Sequence, residues 1–471
     1  MDLTDAQRIA ELEAENAELR SQLAAALARI AELEAKLGMN SSNSSMPPSS
    51  DKPWNKPKLR PRIPSGKKRG GQKGHKGHSR DLVPEDKLRN ITDVYPEQCS
   101  NCGSHDLVPD GSEPVRRQVT DIPKVEPFTD ETRLHACACR NCGAVTRAKL
   151  PSGTPRGNFG PMTVALVALL TGVYRVGKRG VRQLLRDLCG VEMSLGAVSR
   201  CEQQVSEAIA EPVEGARQWV QDREVLNVDE TTWWENADKL WLWVATTAYV
   251  TVFFILPERS TECAKEVLGR FKGILCTDRY KGYWFYPMGL RQVCWAHLRR
   301  EFLAMSERSG VTGEIGAELL ALTDQMFHLW HQLQDGILTR RSFRGRMLPL
   351  SNQIVRLLYL GKAQVPTLAG KFDDMLKHKD ALWTFVRVEG VPPTNNLAER
   401  DVRHAVLLRR VSHGTQSEGG SRYVERMLTV SATLRKQDRN VLDFLVGAVH
   451  AKLNHTTPPS LLPSQALADA A

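Results

Sequence analysis

Glu224-Val225-Leu226-Asn227-Val228-Asp229-Glu230-Thr231-Thr232-Trp233-Trp234 decides the fold. Its first half is an apolar, β-leaning run that stops on a carboxylate. A strand ending on Asp presents that acid at a sheet edge, where solvent, metal and substrate can reach it. The pattern returns 49 residues later at Gly273-Ile274-Leu275-Cys276-Thr277-Asp278-Arg279-Tyr280. If the two strands are neighbours, Asp229 and Asp278 lie within metal-bridging reach. Glu230 is a rival for the first position. Alternate side chains point to opposite faces, so one of the two faces the site, and the end of the apolar run selects Asp229. A third acid, Glu399, stands in Pro392-Pro393-Thr394-Asn395-Asn396-Leu397-Ala398-Glu399-Arg400, in the first turn of a helix that follows two prolines. Asn396 and Glu399 also have capping-box spacing, which would turn that carboxylate onto backbone amides. Three such carboxylates suit a two-metal magnesium site for phosphoryl transfer.

Around these acids the pattern is mixed. Leu240–Leu256 is a run of 17 residues without a charge, close to the length of a membrane span. Its Thr, Val and aromatic content predicts two buried strands instead, Leu240–Thr246 and Tyr249–Leu256. A helix over Ser260–Phe271, capped at Ser260-Thr261-Glu262-Cys263, precedes the Asp278 strand, and a fifth strand is predicted near Gln292–Trp295. Helical sequence then runs from Ala296 to about Lys379, as an insertion (about 300–390) between the second and third acids. Further helices are expected over 396–410 and 421–453. Strands followed by alternating strand and helix predict an α/β ribonuclease H-like core spanning 222–453.

Within it, Cys294-Trp295-Ala296-His297-Leu298-Arg299-Arg300 stands out. Cys294 and His297 have knuckle-like spacing, but no second pair lies nearby in sequence, which argues against a metal. His297, near the second acid, is a candidate catalytic residue that orients water or phosphate; the alternative is a histidine packed beneath the insertion. After Glu399, Arg403, Val406 and Arg410 recur on one helical stripe, a cationic path beside an acidic site.

Upstream, residues 5–38 carry a heptad seam. Ile9, Asn16, Leu23, Ile30 and Leu37 alternate with Leu12, Leu19, Ala26 and Leu33. Such a seam predicts a parallel coiled coil, and Asn16 favours a dimer in one register; the alternative is an amphipathic helix packed on its own domain. Residues 39–90 read as a disordered linker and basic arm. Between 52 and 80 there are eleven Lys or Arg and no acid, with Lys67, Lys68, Arg69, Lys73 and Lys76 at the centre. An arm of this kind neutralises phosphates, or is simply a solvated tail. Cys99-x-x-Cys102-Gly103 and Cys139-x-x-Cys142-Gly143 predict a structural zinc ribbon over 91–150, with Cys137 as a competing ligand. Residues 160–215 read as helical. Ser194 caps a second helix after the Gly190 turn, as in a helix-turn-helix or an ordinary helical hairpin. The tail from 454 to 471 is loose.

The formal charge of +10 fits a polyanionic partner. Ten cysteines with no secretory signal point to a reducing, cytoplasmic compartment. No Gly-x-Ser-x-Gly elbow supports serine hydrolase chemistry.

Taken together, Asn40-Ser41-Ser42-Asn43-Ser44-Ser45, Gly70-Gly71-Gln72 with Gly74-His75, the paired knuckles and the three acidic segments closely resemble transposases of the insertion sequence 66 family. The Cys-Trp-Ala-His-x-Arg-Arg and Asn-Asn-x-Ala-Glu-Arg strings carry most of that resemblance, which runs from about residue 5 to 450. It implies a DDE triad of Asp229, Asp278 and Glu399, with a helical insertion before the Glu. It further implies magnesium-dependent cutting at element ends, attack of the freed 3′-hydroxyl on target DNA, small accessory proteins from the same element, and residence with the bacterial nucleoid. Arg299, Arg300, Arg400, Arg403 and Arg410 are the expected DNA contacts of the core. The family's Arg-Lys pair after the Glu helix stands here as Arg409-Arg410. The alternatives are a DNA-binding regulator with an inactive core, and a structure-selective magnesium-dependent nuclease that does not join ends.

Overall fold

The computed structural model describes residues 5–37, 40, 43 and 81–464. Lys67, Lys68, Arg69, Lys73 and Lys76, with most of the linker and basic arm, lie outside them. The chain divides into two compact units, one drawn from Met1–Pro57, Thr129–Asp187 and Val191–Ala471, the other from Lys58–Phe128 and Leu188–Gly190. It is a mixed α/β protein with a helical N-terminus and a sheet at its core.

Helix α1 (Asp5–Leu37) runs unbroken for 33 residues. Its seam is open to water, with Ile9, Leu12, Leu19, Leu23, Ile30 and Leu33 all exposed.

The described part of the smaller unit has little regular secondary structure. The Gln118 amide pairs with both backbone groups of Val83, at 2.7 and 2.9 Å. The first knuckle closes there, with Gly103 N–H donating to Cys99 O at 2.9 Å. In the larger unit, β1 (Ala136–Ala138) and β2 (Val145–Arg147) form an antiparallel hairpin. Its turn is the second knuckle, with Gly143 N–H donating to Cys139 O at 2.8 Å. Gly103 and Gly143 have φ of +74° and +73°, conformations a side chain would strain. Backbone amides of Cys102 and Asn101 hold the Cys99 thiol below its ordinary value, and those of Asn141 and Cys142 do the same for Cys139.

Helix α2 (Pro161–Ala168) begins on proline and passes into a π-helical turn, Leu169–Val173. The first helix of the stretch that reads as helical therefore changes its hydrogen bonding midway. Here Thr171 Oγ1 bonds back to Val167 O and across to the Tyr423 hydroxyl, at 3.2 and 2.7 Å. Helices α3 (Lys178–Cys189), α4 (Leu195–Ala208) and α5 (Ala210–Val220) follow. Ser194 caps α4 by accepting from Ala197 N–H. Lys178 ties the start of α3 to α4 through Ser199 and Glu202, both at 2.8 Å.

The core sheet comprises β3 (Val225–Glu235), β4 (Asp238–Thr246), β5 (Thr251–Leu256), β6 (Ile274–Thr277) and β7 (Arg291–Val293), with α6 (Thr261–Leu268) between β5 and β6. The strand order is β5-β4-β3-β6-β7. β3, β4 and β5 are antiparallel, while β6 and β7 join parallel. The uncharged run is thus two strands, and no helix among the described residues is long and apolar enough to cross a membrane. β3 extends six residues past Asp229, all paired to β4. Asp229 is therefore not a strand terminus, as expected from sequence; it stands where parallel pairing to β6 has stopped but pairing to β4 continues.

Helices α7 (Trp295–Ser306), α8 (Gly310–Gln334), α9 (Arg340–Gln364), α10 (Ala369–Lys377) and α11 (Thr384–Arg387) make up the segment between the second and third acids. They share one apolar core, including Phe302, Leu319, Phe343, Ile354, Phe372 and Phe385. Helix α12 (Asn396–Ser412) packs on β3 and β4, and α13 (Glu418–Lys436) on β5. Glu425, Thr429 and Thr433 of α13 accept from the amides of Ile255, Phe253 and Thr251. Four helical residues rise about 6 Å and two strand residues about 6.8 Å, so a helix laid along the outer strand keeps step with its free amides. This covers the edge. The single helix expected over 421–453 is two. Asp438 turns left-handed at φ +53°, and the Asn440 side chain caps α14 (Val441–Asn454) on the amides of Leu442 and Asp443.

Candidate active site

The sheet's register brings two of the acids together. Val225, Leu226 and Asn227 pair with Ile274, Leu275 and Cys276. Each pair is 49 residues apart, and the same offset carried two residues further sets Asp229 opposite Asp278. Neighbouring strands lie about 4.8 Å apart, so both acids rise from adjacent backbone positions. Gly273 permits the approach at the other end of this pair: a Cβ there would meet the carbonyls of Glu224 and Arg223.

Glu399 arrives on α12, and the start of that helix is tied to both neighbouring elements. Buried Asn395 donates through Nδ2 to Val228 O (2.7 Å), accepts at Oδ1 from Asn227 Nδ2 (2.9 Å), and donates its backbone N–H to Cys294 Sγ (3.1 Å). Pro393 O accepts from Trp295 N–H at 3.0 Å, and Thr277 O from Cys294 N–H at 2.9 Å. The strand of Asp229, the strand before Asp278, the start of α7 and the start of α12 thus form one hydrogen-bonded junction. No side chain caps α12, so the capping-box alternative for Glu399 is not the arrangement adopted.

The charges are crowded. The Asp229 carboxyl stands well above the usual carboxylate range, through burial first and then repulsion from Glu230, Asp278 and Glu399. Its one hydrogen bond joins Oδ1 to the Glu230 amide at 2.9 Å. Glu230, by contrast, is fully engaged. Oε1 meets Arg259 at 2.5 and 2.6 Å, and Oε2 accepts from Tyr283 at 2.6 Å. Burial and the Asp278 charge still push its carboxyl up to about 7, against the pull of Arg259. Arg259 also lies 3.5 Å from Asp278 Oδ2 and over the Tyr280 ring. Asp278 Oδ1 accepts from Tyr280 N–H at 2.8 Å. Sequence reasoning treated Glu230 only as a rival to Asp229 and missed Arg259 and Tyr283. Their signal is spatial: they come from the β5–α6 loop and from the turn after Asp278.

Glu399 has its own neighbours. Oε1 lies 3.9 Å from Cys294 Sγ and 3.6 Å from His297 Nδ1; Oε2 lies 3.5 Å from Arg300. His297 therefore stands beside the third acid, and burial holds its imidazole below its ordinary pKa despite the Glu399 charge. The expected DNA contacts differ among themselves. Arg299 pairs with Asp324 at 2.7 Å and Arg300 faces Glu399. Arg400, Arg403 and Arg410 are exposed on α12. Arg409 instead turns inward, to Thr231 Oγ1 at 3.2 Å and Thr232 Oγ1 at 2.5 Å, binding α12 to β3.

Residues 156–423 match the Transposase IS66 family, and residues 2–81 match a family of unknown function, DUF6444. The chain is 25% identical over 383 residues to the uncharacterized protein y4hP of Sinorhizobium fredii, covering 73% of this chain and 68% of that one. A second uncharacterized protein of that organism, y4qI, is 25% identical over 396 residues, covering 76% and 71%.

Proposed function

Because this chain belongs to the Transposase IS66 family, we propose that it is a DNA transposase that hydrolyses the ends of its element and joins the freed 3′-hydroxyls to target DNA at one site, built from Asp229, Asp278 and Glu399. The observation that carries this reading is the register of β3 on β6, with the Glu399 helix fastened to β3 by Asn395. Two further features support it. The strand order, three antiparallel strands then two parallel, is the one a ribonuclease H-like sheet would have. The helical segment from α7 to α11 falls between the second and third acids, as an insertion would.

The donor set fits magnesium. It is rich in oxygen, and its mutual repulsion, expressed in the raised Asp229 carboxyl, is what a divalent cation would offset. Asp229, Asp278 and Glu399 would hold it. Bound magnesium supplies the Lewis acid that activates the attacking oxygen and stabilises the leaving one. The protein's own residues do the rest. Arg259 and Tyr283 occupy both oxygens of Glu230, which leaves Asp229 as the available carboxylate on β3. Exposed Arg400, Arg403 and Arg410 line α12 beyond Glu399, where a DNA backbone would run. Water attacks the end phosphodiester and the bond to the 3′-oxygen breaks. That 3′-hydroxyl then attacks a target phosphodiester, expelling a new 3′-oxygen.

The thiolates of each knuckle are ligands of the kind structural zinc takes, and the open seam of α1 suits a parallel dimer; sedimentation of the full chain reads the latter. The central test is cleavage of labelled element ends with magnesium. Asp278→Asn should abolish nicking and strand transfer while leaving end binding intact; retained nicking rejects the assignment. Joining of a pre-cut end separates a transposase from a nuclease that only cuts.

A further inference from the structure

The three-acid reading leaves Cys294 and His297 without a task, yet their ligand atoms and a Glu399 oxygen all lie within 4.8 Å of one another. We infer that Cys294, His297 and Glu399 form a second, chemically distinct cation site that takes a thiophilic divalent ion of the zinc class. The inference rests on the active-site reading above only in that Glu399 is shared.

The geometry is that of a site slightly expanded from its bound form. Zinc bonds of about 2.0–2.3 Å in a tetrahedral arrangement separate ligand atoms by roughly 3.3–3.8 Å. Here sulfur to carboxylate is 3.9 Å and imidazole to carboxylate 3.6 Å. His297 Nδ1 is buried and has no hydrogen-bond partner among the described residues, a costly condition that a metal bond would relieve. The Cys-x-x-His spacing sets both donors at the start of α7, and Asn395 N–H donates to Cys294 Sγ. The thiolate rather than the thiol is the metal ligand, so the ion displaces the Cys294 proton on binding. Three protein ligands leave a fourth position open to water. An ion here engages Glu399 Oε1 and competes with magnesium for that acid.

Cobalt titration of the full chain tests this, because thiolate–cobalt bonds absorb in the near ultraviolet. The knuckle cysteines contribute equally in every variant, so the comparison reads the new site. Wild-type chain should bind about one Co²⁺ more than Cys294→Ser or His297→Gln and release about one more proton on binding. Equal stoichiometry and proton release in all three overturns the site; circular dichroism confirms that each variant is folded, and His297→Gln decides if Cys294→Ser is not. Binding is read without DNA. Refutation of this site thus leaves the magnesium-dependent cleavage reading standing, and failure of cleavage leaves the cobalt difference standing.

Discussion

Asn395→Ala separates a site assembled by the fold from three acids that merely lie near one another. The Asn395 side chain is 1% exposed and makes two hydrogen bonds to β3, at 2.7 and 2.9 Å. Alanine strands the Val228 carbonyl and the Asn227 amide in a buried site. Each stranded group costs about 1–3 kcal/mol, so the substitution should cost roughly 2–6 kcal/mol. Urea unfolding followed by fluorescence reads this directly, since Trp233, Trp243 and Trp295 are fully buried and Trp295 N–H bonds into the junction. The adjacent Asn396 is exposed and makes no such bonds, so Asn396→Ala should stay within about 0.5 kcal/mol of wild type. Cleavage should fall further than stability alone requires. Glu399 begins one turn after Asn395, and a displacement near 1 Å at a reacting group costs ~100-fold. If Asn395→Ala unfolds with the parent chain, or cuts DNA at the parent rate, the junction does not position Glu399 and the reasoning fails.

Two further outcomes follow from the charges. The Glu230 carboxyl titrates near 7 when folded against 4.5 for the unperturbed group; between these values the native state holds a proton the unfolded chain has lost, so stability measured in chelator should fall as pH rises from about 4.5 to about 7. Glu230→Gln should flatten that window, and an unchanged slope would show that Glu230 does not titrate there. On the DNA side, Arg403 and Arg410 are exposed on α12 with no ion pair among the described residues, whereas Arg299 is engaged by Asp324. Replacing Arg403 and Arg410 with alanine should lower the slope of log affinity against log salt by about 2, while Arg299→Ala leaves it nearly unchanged; equal effects would remove α12 from the DNA path.

Much of the core was legible because it is local. The β-rich uncharged run, the Ser260 and Ser194 caps and the breaks at Pro392 and Pro393 are each written within a few residues. What was not legible is cooperative. The alternation rule treats a strand as though its two faces were independent, so it could choose between Asp229 and Glu230 but could not see Arg259 and Tyr283 holding the latter. Cys294 and His297 have no further ligand type close by along the chain; the carboxylate that lies beside them in space, Glu399, is 105 residues beyond Cys294. Asn395 and Arg409 read as a polar residue before a helix and half of a basic pair. Their partners on β3 exist only once α12 has packed. The divided helix after Lys436 follows the same rule: periodicity carried straight through, and a left-handed Asp438 with an Asn440 cap broke it.

The meeting of Asp229 and Asp278 is decided several residues before either one. A parallel ladder has no continuous adjustment. A slip of one residue would carry Asp278 about 3.3 Å along β6 and turn it to the opposite face. The choice is made where β6 enters the sheet, at Gly273 against the carbonyls of Arg223 and Glu224 and at the 2.7 Å bond from Ile274 N–H to Glu224 O. It is held at the far end by Thr277 O accepting from Cys294 N–H. Between those two anchors the offset of 49 has nowhere to change. The sequence spacing of the acids is therefore the sheet register itself, and the glycine that admits β6 matters to the site as much as the carboxylates that occupy it.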